Sequence, residues 1–236
     1  MTRKTIGVLG GMGPSATLEL FERIINNTVA HSDQEHVSLI IINDPGIPDR
    51  TNYILGKGPS PIPKLNENLT KLKKAGADAV VIPCMTAHTF IDELQDECHL
   101  PIINAIDLVN SKVKKSYSQV KKIGIMATTG SVTSRVFNRF VQTELVYPTN
   151  AMQNVLMDSI YDIKAGKNLN EVRELLKPVV QELIINGAEA IVAGCTELSL
   201  VLNENDAKIP ILDPINMLAE KVVKLGTSNY RVINHI

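Results

Sequence analysis

Tryptophan is absent from this 236-residue chain, and aromatic residues make up only 4% of it. The core must therefore be aliphatic, built from Val, Ile, Leu and Ala. Cysteine is scarce as well. Three cysteines, an odd number, do not make a disulfide framework and fit a reducing cytoplasm. No run of about 18 apolar residues is present to suggest a membrane span. The apolar stretch after Met1-Thr2-Arg3-Lys4 is too short for the core of a signal peptide. Nor is there an excess of charge of either sign: 24 Lys and Arg stand against 25 Asp and Glu. Such a balance gives no electrostatic reason to expect nucleic acid or an anionic membrane as partner. A cytoplasmic location is the expectation. What remains is ordinary for a globular protein, 44% hydrophobic and 21% charged, and long enough for one large domain or two small ones.

Within that composition two stretches read alike. Val80-Val81-Ile82-Pro83-Cys84-Met85-Thr86-Ala87-His88 is an apolar run that ends in a cysteine, and Ala190-Ile191-Val192-Ala193-Gly194-Cys195-Thr196-Glu197-Leu198 repeats the design with its cysteine 111 residues later. Other segments repeat in the same order. Residues 4–9 resemble 121–126, and Gly13 matches Gly130 at the same offset. Residues 74–79 resemble 185–190, and residues 100–104 resemble 209–213. The chain is therefore expected to be an internal duplication.

Continuous apolar runs such as 5–9 and 79–82 alternate with helically spaced segments, as in parallel sheets covered on both faces. The expected fold is α/β, with two similar doubly wound parallel-sheet domains related by pseudo-twofold symmetry and the active site in the cleft between them. Residues 1–116 would form the first domain, completed by a C-terminal helix within 213–236; residues 117–212 would form the second. Gly10-Gly11-Met12-Gly13 turns the chain, and Pro14 suits the first position of a helix. A long polar connection, 47–63, carries Asp49-Arg50-Thr51-Asn52 and is of the length usually kept for function. Helices are expected over 87–97, directly after Cys84, and over 214–225.

Ligands of α/β sheets collect beyond the carboxyl ends of the strands, where both Cys84 and Cys195 fall. A thiol ahead of a helix is favoured as thiolate, and Thr86 and Thr196 suit the N-cap. Two opposed thiols fit one reaction well: a proton leaves one face of a carbon and another returns to the opposite face, with helix N-termini stabilising the carbanion. That is racemase or epimerase chemistry. Competing readings are plainer. Cys98 has no repeat partner and reads as structural. A redox pair lacks Cys-x-x-Cys spacing. A zinc site from Cys84, His88 and Cys195 lacks a fourth ligand, so no metal is expected. Gly11-x-Gly13-x-x-Ala16 matches a dinucleotide fingerprint loosely, but Pro14 interrupts it, and the glycine turn reads better as a cleft wall with free N–H groups. His88 reads as a hydrogen-bonded helix residue. Arg50 suits bidentate capture of a carboxylate, and Lys164 either satisfies helix-terminal carbonyls or faces a ligand.

These motifs have a family likeness. Gly10-Gly11-Met12-Gly13-Pro14, Pro48-Asp49-Arg50-Thr51, Pro83-Cys84-x-Thr86-Ala87-His88, Ile163-Lys164-Ala165-Gly166 and Gly194-Cys195-Thr196-Glu197 together resemble the aspartate/glutamate racemase superfamily, most closely its aspartate racemase branch. The resemblance implies that Cys84 and Cys195 are catalytic and that Arg50 and Lys164 recognise the side-chain carboxylate. Thr86, Thr128 and Thr196 would surround the α-carboxylate and amino group, with Met12, Met85 and Glu197 also lining the substrate site. It further implies an acidic amino acid as small-molecule partner, no cofactor and a homodimer. One position departs: Met85 stands where the family usually has asparagine, trading an amide for a weak acceptor and apolar volume. Glutamate or another carboxylate as substrate, or binding of an acidic amino acid without turnover, remain alternatives.

Overall fold

The computed structural model describes residues 3–203 and 206–227. Among them are two parallel four-stranded sheets. The first contains β1 (Ile6–Gly10), β2 (Leu39–Asn43), β3 (Ala79–Val81) and β4 (Ile102–Ile103), in the order β2-β1-β3-β4. The second contains β5 (Lys122–Met126), β6 (Glu144–Val146), β7 (Ala190–Ala193) and β8 (Ile211–Leu212), in the order β6-β5-β7-β8. The two orders are the same, and so are the registers around each cysteine strand: Val8 lies beside Val81, and Ile125 beside Val192. The expected duplication is thus a duplication of topology.

Helices cover both faces. The first half carries α1 (Pro14–Asn27), α2 (Arg50–Ile54), α3 (Ile62–Lys74), α4 (Ile91–Cys98) and α5 (Ala105–Ser116). The second carries α6 (Thr129–Thr133), α7 (Val136–Phe140), α8 (Asn150–Lys164) and α9 (Leu169–Ile185), after which α10 (Pro214–Gly226) returns to pack on α1 and α5. The expected C-terminal helix ends at Gly226, followed by Thr227; the remainder of its expected span, 228–236, lies outside the described residues.

Alternation along the strands sorts the core. Ile6, Val8 and Val81 from the first sheet join Ile123, Ile125 and Val192 from the second in one central aliphatic cluster, closed by Leu218 and Val222 of α10. The opposite faces turn outward. Leu9, Val80 and Ile82 pack with Leu65 and Leu69 of α3, while Ile191 and Ala193 pack with Leu176 and Val180 of α9. Successive strand residues point to opposite faces, so each short strand feeds two clusters. Because the central cluster takes side chains from both sheets, the halves share one core.

Two expectations about local structure are corrected. The connection over 47–63 is not an unbroken loop: Asp49 accepts from the Asn52 N–H at 2.7 Å and caps α2 within it. No α-helix begins directly after Cys84. Residues Met85–Phe90 form a 3-10 helix, and the α-helix starts only at Ile91. The Cys84 carbonyl explains why: it accepts from Ala87 N at 3.2 Å and from the His88 ring at 2.9 Å, which holds the chain to three-residue spacing.

Candidate active site

The carboxyl ends of β3 and β7 bring the two cysteine loops to one narrow cavity. Met12, Asp49, Arg50, Thr51, Cys84, Met85 and Thr86 line it from the first half, and Thr128, Lys164, Cys195, Thr196 and Glu197 from the second. Every site residue expected from sequence therefore reaches the same cavity. Asp49 and Thr51 are additional, and only their place beside Arg50 hinted at them. Their proximity comes from α2 packing against α6. A side chain at Gly130 would lie 2.7 Å from the Thr51 hydroxyl, so only glycine lets the two halves approach here.

The surroundings of the thiols differ from expectation. Cys195 donates to Glu197 Oε2 at 3.0 Å, and the Thr196 hydroxyl donates to the same oxygen at 3.2 Å. Burial pushes the Cys195 thiol well above its ordinary range, and the Glu197 carboxylate pushes it further; Lys164 opposes them. The expected depression by a helix N-terminus is overturned. The chain beyond Cys195 forms only a 3-10 turn of three residues, Leu198–Leu200, too short to offset burial and a neighbouring carboxylate. Glu197, expected at the substrate, lines the cavity and also accepts the thiol proton of Cys195.

Nor do Thr86 and Thr196 cap helices. The Thr86 hydroxyl lies 2.9 Å from that of Thr128 and accepts from Ser131 Oγ at 3.1 Å, while Thr128 and Ser131 hydroxyls are also 3.1 Å apart. Three buried hydroxyls from both halves thus form a closed ring. Thr128 is the true cap, accepting from Ser131 N at 3.1 Å. Ser131 had no motif to announce it. A carboxylate entering this ring would find donors that need only rotate.

Two cations face the cavity. Arg50 is buried, and its Nη1 donates to the carbonyls of Ile47 (3.2 Å) and Pro48 (3.1 Å) while Nη2 donates to Met12 (3.2 Å). Its Nε–H is buried without an acceptor. Of five guanidinium donors, Nε–H and one Nη2–H remain for a ligand carboxylate. Lys164 lies 3.8 Å from Glu197 Oε1. Burial works against its ammonium, but Glu197 and the two cysteine sulfurs prevail and raise its pKa above the ordinary lysine range.

One further reading of the sequence alters in detail, and the reading of His88 as a hydrogen-bonded helix residue holds. The glycine turn does not offer all its N–H groups, because Gly11 N–H donates to Thr17 Oγ1 at 2.9 Å. Gly11 itself has φ +95 and lies against the Asp44 backbone, a position for glycine alone. His88 is fully buried and directs neither ring nitrogen at the cavity. Nδ1–H donates to Cys84 O, and Nε2 accepts from Ala105 N at 3.1 Å. Burial lowers its pKa to about 4, so the ring is neutral.

The family model for Asp/Glu/Hydantoin racemase matches residues 9–222. The chain belongs to this family. A solved aspartate racemase of Picrophilus torridus superposes with a TM-score of 0.83 at 31% identity, over 94% of this chain and 93% of that one. The broad specificity amino-acid racemase RacX of Bacillus subtilis is 24% identical over 92% of this chain and 96% of its own length. A Francisella tularensis glutamate racemase solved with D-glutamate shares the fold, with a TM-score of 0.65 at 16% identity, over 94% of this chain and 81% of its own. Family membership supports amino-acid racemase activity. Among the described residues no helix is long and apolar enough to cross a membrane.

Proposed function

We propose that this protein is a cofactor-independent racemase that interconverts L- and D-aspartate by two-thiol proton transfer at Cα. The observation that carries the reading is the meeting of Cys84 and Cys195, from equivalent loops of the two halves, in one cavity with Arg50 and Lys164. In one direction Cys84, as thiolate, takes the α-proton and Cys195, already protonated, delivers its own to the opposite face. In the other direction Cys195, as thiolate, takes the α-proton and Cys84, as thiol, delivers its own to the opposite face. Whenever Cys195 carries a proton, the Glu197 carboxylate accepts from it at 3.0 Å. Lys164 and the unspent Arg50 donors meet the side-chain carboxylate and oppose charge growing on the substrate. The hydroxyl ring of Thr86, Thr128 and Ser131, with Thr196, receives the α-carboxylate and amino group.

The three cysteines are free, which fits a reducing compartment such as the cytoplasm. A homodimer belongs to the same reading, and the exposed apolar stripe of Leu18, Phe21 and Ile25 along α1 supports it.

A second reading widens the substrate range. Met85 is fully buried, belongs to the central aliphatic cluster and still borders the cavity, so it offers the ligand apolar surface in place of an amide. Chiral chromatography after incubation with L-aspartate, L-glutamate and a panel of neutral L-amino acids decides between the two. D-aspartate as the dominant product supports the first reading, and comparable racemisation of neutral amino acids supports the second. No racemisation of any would overturn both.

A further inference from the structure

Four residues after each cysteine, the two loops are braced in related but unequal ways. In the first half His88 joins Cys84 O to Ala105 N, the first helical residue after Asn104, which caps α5 by accepting from Ile106 N at 2.9 Å. The repeat offset places Ser199 opposite His88 and Asp213 opposite Asn104. Ser199 Oγ donates to Asp213 Oδ1 at 2.8 Å, and that same oxygen caps α10 by accepting from Ile215 N at 2.9 Å. The two braces therefore share one plan: the position four after the cysteine ties its loop to the start of the helix beyond the last strand of the sheet.

The second brace has a part that the first lacks. Arg23, on α1 of the first half, forms an ion pair with Asp213 Oδ2, donates to Ser199 O at 3.2 Å, and is itself held by Glu19 at 2.6 Å. Burial works against the Arg23 cation, and Asp213 then Glu19 outweigh it, raising its pKa. The helix that carries Arg23 begins at the glycine turn, whose Met12 lines the cavity and accepts from Arg50.

The geometry points to Arg23, with Asp213 and Ser199, as a positioning cluster that sets the Cys195–Glu197 loop against the first half. It makes no contact with the substrate cavity. Its effect passes through Ser199 along four residues of chain to the thiol. In the first half the equivalent task is done within one unit by a neutral ring; in the second it spans the halves and uses charge. The catalytic consequence rests on the racemase reading, whereas the bracing itself can be tested without turnover.

The experiment is timed alkylation of the native protein with iodoacetamide, with the extent at Cys84, Cys98 and Cys195 read separately by peptide mass spectrometry. Arg23→Gln is expected to raise the Cys195 rate about tenfold, the factor that ~1.4 kcal/mol of lost local restraint gives, and to leave Cys84 and Cys98 unchanged. Ser199→Ala, which removes no charge, gives a smaller rise at the same cysteine. Arg23→Lys, which keeps the charge, restores much of the protection. In turnover assays the Arg23→Gln defect falls on kcat rather than KM. Should Arg23→Gln not fold, Ser199→Ala decides the matter alone. An unchanged Cys195 rate, or three thiols rising in step as from general loosening, overturns the role. Absence of racemisation in the unaltered protein would refute the functional reading and leave the alkylation result standing.

Discussion

The two cysteine loops leave equivalent strands of equivalent sheets, yet they supply different chemistry two residues on. Aligned on the cysteines, Thr86 stands opposite Glu197 and Met85 opposite Thr196. The Thr86 hydroxyl turns away to Thr128 and Ser131, whereas the Glu197 carboxylate accepts from its own cysteine and faces Lys164. Duplication explains why two thiols oppose each other. Divergence at a single neighbouring position explains why they are unequal: one half gives its thiol a proton partner, and the other gives the cavity a neutral hydroxyl.

The largest expected effects come from removing the shared element. Cys84→Ala and Cys195→Ala should each reduce racemisation of aspartate by at least ~10³-fold, in keeping with the loss of an acid–base group and of the partner that depends on it. Turnover near that of the unaltered protein in either variant, measured by chiral chromatography, would argue against opposed thiols.

Glu197→Gln sharpens the asymmetry. The amide removes the negative charge that pushes the Cys195 thiol up, while burial still acts, so the Cys195 pKa should fall partway toward its ordinary value. Alkylation of Cys195 tracked against pH should shift to lower pH, with the Cys84 profile unmoved. Racemisation should drop by about 10²-fold for want of the carboxylate that orients the Cys195 proton. A Cys195 profile that does not move would contradict the assigned contact.

Arg50→Ala tests the cation on the first side. It should raise KM for aspartate by roughly 10- to 100-fold, as loss of a charged hydrogen bond of about 1.5–3 kcal/mol implies. It should also lower thermal stability, because the carbonyls of Ile47, Pro48 and Met12 lose their donor. An unchanged KM would remove Arg50 from substrate recognition.

The same comparison reaches stability. His88 has its pKa lowered from 6.5 to about 4 by burial, while its counterpart Ser199 does not titrate. In the unfolded chain the ring binds a proton below about 6.5, and in the fold only below about 4. Stability from this group is therefore full above about pH 6.5 and is lost as pH falls through that window, by at most about 3 kcal/mol. Urea unfolding at about pH 7 and about pH 4.5, either end of that window, should show this loss, reduced in His88→Asn. Equal pH dependence in the variant would show that another group is responsible.

Much of this was legible in the chain itself. The repeats at residues 4–9 and 121–126, and around the cysteines, carry the strand signal because buried parallel strands are continuous apolar runs. They point directly to two similar parallel sheets. The cavity residues were legible because each lies at a strand end or in a motif of family type. What escaped were effects of the third dimension. Thr86 and Thr196 have cap-like positions, but hydroxyls from the opposite half and a neighbouring carboxylate claim them. The shift of Cys195 depends on burial and on where Glu197 turns, neither of which spacing reveals. Ser131 and Arg23 act across long sequence separations and carry no local motif, and Asp213, although it closes the 209–213 repeat, meets Arg23 only in the fold.

The most direct test monitors the α-proton of each enantiomer of aspartate by proton NMR in D2O with Cys84→Ala and Cys195→Ala, and analyses the configuration of what remains. If the thiols work from opposite faces, each variant should exchange the α-proton of one enantiomer only, the two variants should choose opposite enantiomers, and neither should racemise. Exchange of both enantiomers by one variant, or continued racemisation in either, would contradict a two-thiol site divided between the halves.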